Sequence, residues 1–263
     1  MVDKPEFDDD IEALDLSYAE KSGLQVYRNY TNSFNKFREE RFAEEINNNA
    51  PDTKSLGEII RLVHGEEIRY VPILACAWAD EELEQMFKVF LRDGIPGGKK
   101  ALIGKFGPIS SFFSRIQFAY AFDLMNGDVL KYLDQLRGHR NKLSHTWNPK
   151  LLEDFFKTPL PHMDGLAEGL LRHVPPEAVD HTKYPEEALR IQTMWVLCRV
   201  FYESRFYPLA KLAGLNPDRA LYGPNSPRKT LGKICNYAMT FTKLTVPPPP
   251  PTSKNKTPSS PDS

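Results

Sequence analysis

A chain of 263 residues with 41% hydrophobic side chains is long enough to bury a substantial core. Its formal net charge of −1 exerts no global pull toward nucleic acid or anionic lipid, so any such contact requires a local basic patch. Cys76, Cys198 and Cys235 are odd in number, lack a C-x-x-C spacing and sit among apolar residues, so they read as buried free thiols in a reducing compartment.

The first ten residues are acidic and hold no apolar run, unlike a signal peptide, and no later stretch reaches transmembrane length; a cytoplasmic protein without membrane contact is expected. Residues 11–47 carry Leu14, Leu16, Tyr18, Leu24, Tyr27, Tyr30 and Phe34 and then a charged run, in part helical, which Asn47 to Pro51 breaks. A helix fits Leu56 to Val63, with Gly65 at its end. Ile73, Cys76, Asp80, Leu83, Phe87 and Phe90 recur at three- and four-residue steps, one face of a helix that Asp93 to Gly98 stops. Gly94 to Gly98 with Lys99 and Lys100 lacks the order of a phosphate-binding loop and reads as an interhelical turn. Ser110 or Ser111 caps a helix to about Met125, with Phe112, Ile116, Ala119 and Tyr120 on one face. A third periodic segment, Asp128 to His145, has the stripe Val129, Leu133, Leu136, Arg140 and Leu143 and ends at Trp147-Asn148-Pro149.

Residues 158–184 are rich in Pro and read as a connecting loop; its His162, His173 and His181 have no fixed ligand spacing, so no metal site and no cofactor is expected. Pro185-Glu186-Glu187 opens a helix with Ile191, Trp195, Cys198 and Tyr202 on its apolar face, which Pro208 ends or kinks. Tyr202, Phe206 and Tyr207 read as core rather than a base-stacking platform, and a last helix covers Arg228 to Thr242. The run Pro247 to Pro251 and the polar tract after it cannot bury enough surface to offset ordering, so 246–263 reads as a disordered tail, with docking to a proline-binding partner as the alternative. Alternation of β-branched residues is scarce and no internal repeat is present. The fold class is all-α, an up-and-down bundle. Its parts are a helical extension (1–66), a helical core (67–157), the loop, C-terminal helices packed on the core (185–245) and the tail.

Two charges occupy core-facing positions, Asp80 and Arg140. An isolated buried charge is very costly, so the simplest expectation is that their helices pack and that Asp80, or its neighbour Glu84, binds Arg140. The alternative is a rotated helix whose charge reaches water. Asn141 and His145 are four apart and share a helix face, whereas Arg140 and His145 differ by roughly 140°. Arg137, His139, Arg140 and Lys142 make the one local basic cluster, a candidate contact for RNA or an acidic partner, or else a plain solvated face.

Arg140-Asn141-Lys142-Leu143-Ser144-His145 matches the R-N-x-x-x-H pattern of the HEPN superfamily of helical bundles. The run Gly107-Pro108-Ile109-Ser110-Ser111-Phe112-Phe113-Ser114-Arg115-Ile116, continuing to Phe122, resembles the G-P-L-G-S-F-S-x-R-I-x-x-A-Y-A-L run of the mannitol repressor family, and Ala77 to Glu84 suits that family's first core helix. The resemblance covers about residues 70–157. It implies a HEPN-like fold, a homodimer and one of two functions. The first is a regulatory protein that binds a protein partner and has no DNA-reading motif of its own; no helix-turn-helix or basic recognition helix is present for duplex DNA. The second is a metal-independent endoribonuclease on single-stranded RNA. There His145 would act as general base or acid, Arg140 would stabilise the transition-state charge, and Asn141 would orient either one.

Overall fold

Residues 7–144 and 184–245 are described by the computed structural model, and all of their regular structure is helical. The helices are α1 (Asp9–Glu12), α2 (Tyr18–Asn48), α3 (Lys54–Gly65), α4 (Val71–Phe90), α5 (Lys99–Ile103), α6 (Phe112–Ala121), α7 (Gly127–Ser144), α8 (Pro185–Leu212), α9 (Pro217–Tyr222) and α10 (Arg228–Thr245), with a 3-10 turn at Ile68–Tyr70. Local chemistry writes their starts. Ser17 and Glu20 form a capping box on α2, Ser111 and Ser114 do the same on α6, and Asn216 accepts the Arg219 amide to cap α9. Pro185 with Glu186 and Glu187 opens α8. Pro208 does not end that helix, which continues to Leu212.

α8 lies at the centre of the bundle and is buried on nearly every side, from Ala188 through Ala210. A helix apolar all round belongs in an interior. It packs on α4, α10, α3 and α9. The Tyr132 and Thr193 hydroxyls bond at 2.9 Å, and Asn126 N–H donates to Glu203 at 2.8 Å, so α7 runs antiparallel to α8. Trp195 donates to Thr242 and the Cys198 thiol to the Ile234 carbonyl, which sets α10 antiparallel to α8 as well. Arg190 donates to the Val63 carbonyl at the end of α3, tying a third neighbour to α8. One continuous apolar cluster runs from Ile46 to Ala238, and Tyr202, Phe206 and Tyr207 sit within it as expected.

α2 departs from this pattern. Of its 31 residues only Glu39, Ala43 and Ile46 are buried. Its bonds to the bundle begin at Arg38, which donates to the Ala213 carbonyl. They continue through Glu39, which binds Arg219 at 2.6 Å, and Asn47, which accepts the Thr230 amide at 3.0 Å. Among the described residues, the half before Arg38 is joined by α1: Arg28 grips Asp8 and Asp10, and Ile11 is buried beneath. No described helix is long and apolar enough to cross a membrane.

Candidate functional site

Two places have the makings of a site: the C-terminal end of α7 and the outward face of α2. At the first, the stripe Val129, Leu133, Leu136 is buried, and burial stops there. Arg140 is half-buried and lies with its guanidinium 5.9 Å from the Phe112 ring centroid. Its Nε and Nη2 donate to Asn141 Oδ1 at 3.3 and 3.1 Å. Asn141 and Lys142 are exposed. His145 lies outside the described residues, as do 145–183 with the three loop histidines, and 246–263 with the proline run.

The expected pairing of Asp80 or Glu84 with Arg140 is corrected. Both carboxylates hold Arg115 instead, Asp80 Oδ1 at 2.6 Å from Nη1 and Glu84 Oε2 at 2.7 Å from Nη2. Arg115 also donates to the Asp80 carbonyl at 3.3 Å and is 5% exposed. Among the described residues no carboxylate pairs with Arg140. The physical reason is the rotation of α6. Phe112, Arg115, Ile116 and Ala119 form its buried face, while Tyr120, expected there, is 62% exposed. Arg115 occupies the i+3 position of that stripe, a signal present in the sequence. Glu82, two residues from each of these carboxylates and so on the other side of α4, is buried and binds Arg205 of α8.

The basic cluster is weaker than its sequence suggests. Arg137 is paired with Asp134 at 2.8 Å and stacks over Phe113 at 4.6 Å. Burial, with Lys142 repulsion second, lowers the His139 pKa to about 4, so its ring is neutral at pH 7. Cys76 is a free thiol whose pKa burial pushes up to about 12, against the pull of Arg140 and Arg137, so it is no thiolate nucleophile. Among the described residues no group of three or more His, Cys, Asp or Glu is arranged to hold a metal ion.

A second buried network involves Glu203, fully buried on α8. It accepts from Asn126 N–H, from Arg199 Nε at 2.9 Å and from the Tyr222 hydroxyl at 2.6 Å. Burial pushes its carboxyl above the usual range, and Arg199 opposes that push. The network ties α7, α8 and α9 together with no opening to solvent at the carboxylate, so it serves structure.

The outward face of α2 is different in kind. Val26, Tyr27, Tyr30, Phe34 and Phe37 are each between 49% and 69% exposed. At about 100° per residue they fall within a sector of roughly 100°. The side that carries Glu39, Ala43 and Ile46, and the residues that α1 covers, Lys21, Gln25 and Arg28, lie about 180° away. One face of the helix is therefore used along its length, and the opposite face carries the aromatics. Tyr30 and Phe34 stack with centroids 6.4 Å apart, and Arg38 and Arg41 lie over Phe34 and Phe37. At the lower end an open groove of about 710 Å³ is lined by Phe34, Phe37, Arg41, Ala213 and Leu215 among others. Tyr27, Tyr30 and Phe34 stand out in the sequence, whereas Val26 and Phe37 do not. The signal was the spacing, which completes an i, i+4, i+8 row from Val26 to Phe34.

Searches against family models, curated proteins and solved structures gave no match to this chain. The class defined by its own residues is an all-helical bundle with a long helix that exposes an aromatic face.

Proposed function

We propose that this is a cytoplasmic regulatory protein that works by binding other protein surfaces, and that the outward face of α2 is its working surface. The observation that carries this reading is the row from Val26 to Phe37, uncovered on the side of the helix opposite both the bundle and α1. A contiguous exposed apolar patch of this kind, rimmed by polar residues, is often an interaction site. Aromatic side chains with neighbouring arginines are the residue types enriched at the centres of protein interfaces. The three unpaired thiols suit a reducing compartment. No feature of the described surface supplies a groove-reading basic helix, in keeping with a regulator that acts through protein contacts.

A second reading is the metal-independent ribonuclease with Arg140, Asn141 and His145. One observation favours it: Asp80 and Glu84 are occupied by Arg115, so Arg140 keeps its charge available for a phosphate. Against it stand the pairing of Arg137 with Asp134 and the neutral His139, which leave Arg140 and Lys142 as the cluster's unpaired cations.

The deciding experiment has two arms. Purified full-length protein is incubated with single-stranded RNA in EDTA, beside His145→Ala. In cells, Tyr30 is replaced by a photo-cross-linking phenylalanine analogue. The interaction reading expects intact RNA and a discrete protein adduct at position 30. RNA cut to 2′,3′-cyclic phosphate ends, with the cutting lost in His145→Ala, would replace it with the ribonuclease reading, and no protein adduct would also overturn it.

A further inference from the structure

The Val26–Phe37 face needs an occupant, and its size, symmetry and charge favour one. We propose that α2 is a self-association surface on which two copies of this chain pack their aromatic rows antiparallel. This rests on the reading of α2 as an interaction face and names its partner.

Size comes first. Phe and Tyr bury ~150–250 Å² each when fully covered. At the exposures given above, the four aromatics and Val26 supply on the order of 600 Å² per copy, near the ~800 Å² per partner of a stable interface. The stretch from Tyr18 to Arg38 is roughly 30 Å long, enough for two helices to lie side by side. α2 docks to the bundle by the opposite face, and the bundle borders the row only at its C-terminal end, where Ala213 and Leu215 line the groove beside Phe34 and Phe37.

Symmetry comes next. A two-fold pair uses one patch on both copies, so the patch must complement itself. Antiparallel pairing about the point between Tyr30 and Thr31 sets Tyr27 of one copy against Phe34 of the other, large ring against large ring at both ends. Gly23 lies on the same line as the aromatics, and a side chain there would meet nothing within 4 Å. In this register Gly23 faces position 38 of the other copy and lets the two helices approach closely there. A glycine in an exposed helix interior otherwise only weakens the helix.

Charge fixes the direction. Asp8, Asp9, Asp10, Glu12, Asp15 and Glu20 lie at one end of the arm; Arg28 pairs with Asp8 and Asp10 and Lys21 with Glu12, which leaves Asp9, Asp15 and Glu20 without an ion pair among the described residues. Arg38 and Arg41 flank the aromatic row at the other end, and neither forms an ion pair among the described residues. Antiparallel packing brings Arg41 beside Glu20 of the other copy, whereas parallel packing sets acids against acids. Opposed charges at a rim steer association and suppress the wrong orientation. The surface is separate from the α7 end that carries Asn141, where the R-N-x-x-x-H resemblance would put a two-fold axis.

The test is sedimentation of the full-length chain across a concentration series up to ~100 μM, a range that reads weak dissociation constants directly. Wild type is compared with Tyr30→Glu/Phe34→Glu and with Asn141→Glu, and each variant's thermal unfolding is recorded. The proposal expects a wild-type dimer and association weakened about 100-fold or more in the double variant, as when central aromatic contacts are lost. It expects an unchanged melting transition in the monomeric variant relative to monomeric wild type, and a dimer retained in Asn141→Glu. Purified protein carrying the photo-cross-linker at position 30 gives an adduct of twice the chain mass. Self-association through α2 is overturned by a wild type that stays monomeric, or by a dimer broken by Asn141→Glu and not by the α2 variant. If position 30 then still captures a different protein in cells, the interaction reading stands and only the choice of partner falls. If it captures nothing, both fall.

Discussion

Replacing Arg115 with methionine tests the reassigned ion pair. Methionine keeps most of the buried stem and removes the fork of donors. The side chain makes close charged contacts to Asp80 and Glu84, at 2.6 and 2.7 Å. Breaking a fully buried pair costs about 3–5 kcal/mol, because the remaining charge is stranded. Here the Asp80 and Glu84 side chains are each 33% exposed, so water reaches both after the change. Glu84 also keeps Lys88 at 2.7 Å. The expected loss is therefore about 2–3 kcal/mol, which for a chain of this size lowers the melting temperature by roughly 5–10 °C. Arg140→Met removes a stacking contact with Phe112 and a bond to Asn141, and should cost about 0.5–1 kcal/mol. Chemical denaturation of both variants, with Asp80→Asn added to each, measures the difference. The Asp80→Asn change should recover part of the loss beside Arg115→Met and none beside Arg140→Met. The reverse order of costs, or coupling of Asp80 to Arg140, would refute the assignment.

Two glycines should respond to alanine with opposite signs. Gly232→Ala meets nothing within 4 Å and should stabilise α10 by up to ~1 kcal/mol, whereas Gly57→Ala sets its Cβ 2.9 Å from Tyr237 Cε1 and disturbs the Tyr237–Thr53 bond, so its melting temperature should fall. His139 should make the fold sensitive to acid. Its folded pKa of about 4 lies below the ordinary 6.5, so the unfolded chain takes up the proton first, and stability present above pH 6.5 is lost as pH falls toward 4. Stability measured across that window in His139→Phe should be flatter than in wild type; equal slopes would contradict the reading. Tyr132→Phe leaves the Thr193 hydroxyl buried without its partner at 2.9 Å and should cost about 1–3 kcal/mol by denaturant unfolding.

Much of the fold was legible because helices announce themselves through periodicity and caps. Ser111, the break after Asn48, the stop after Phe90 and the start at Pro185 were all readable from local residues. What could not be read was rotation. The stripe through Asp80 and the stripe through Arg140 are both real spacings, yet a stripe fixes a face only to within tens of degrees, and one charged residue can sit at its edge. Arg115 shared a buried face with Phe112 and Ile116, but a lone arginine in an apolar run is easily taken for its solvent-facing neighbour. α9, of six residues, is too short for any period to show. The α2 row was half visible: its aromatics stood out, but a sequence alone does not tell an aromatic face that enters the core from one that leaves it. His145, on which the catalytic reading turns, lies outside the described residues.

The residues of the α2 row are hard to explain by the needs of α2 itself. Aromatic and β-branched residues are weaker helix formers than alanine, leucine, lysine or glutamate, and Gly23 is weaker still. A helix that had only to stand in water would favour the charged and straight-chain residues. The gains available within the helix are small: stacking of Tyr30 on Phe34 and the arginines over Phe34 and Phe37 each give tenths of a kcal/mol to about 1 kcal/mol on an exposed surface. None of the five side chains enters the core cluster. They raise neither helix propensity nor burial in the single chain, and they add an association hazard that surface charges would remove. A role realised only when another surface covers them resolves that conflict between local preference and structure. The α7 end shows no such conflict. There Arg137 has Asp134, and Arg140 has Asn141 and the face of Phe112, contacts made within one chain.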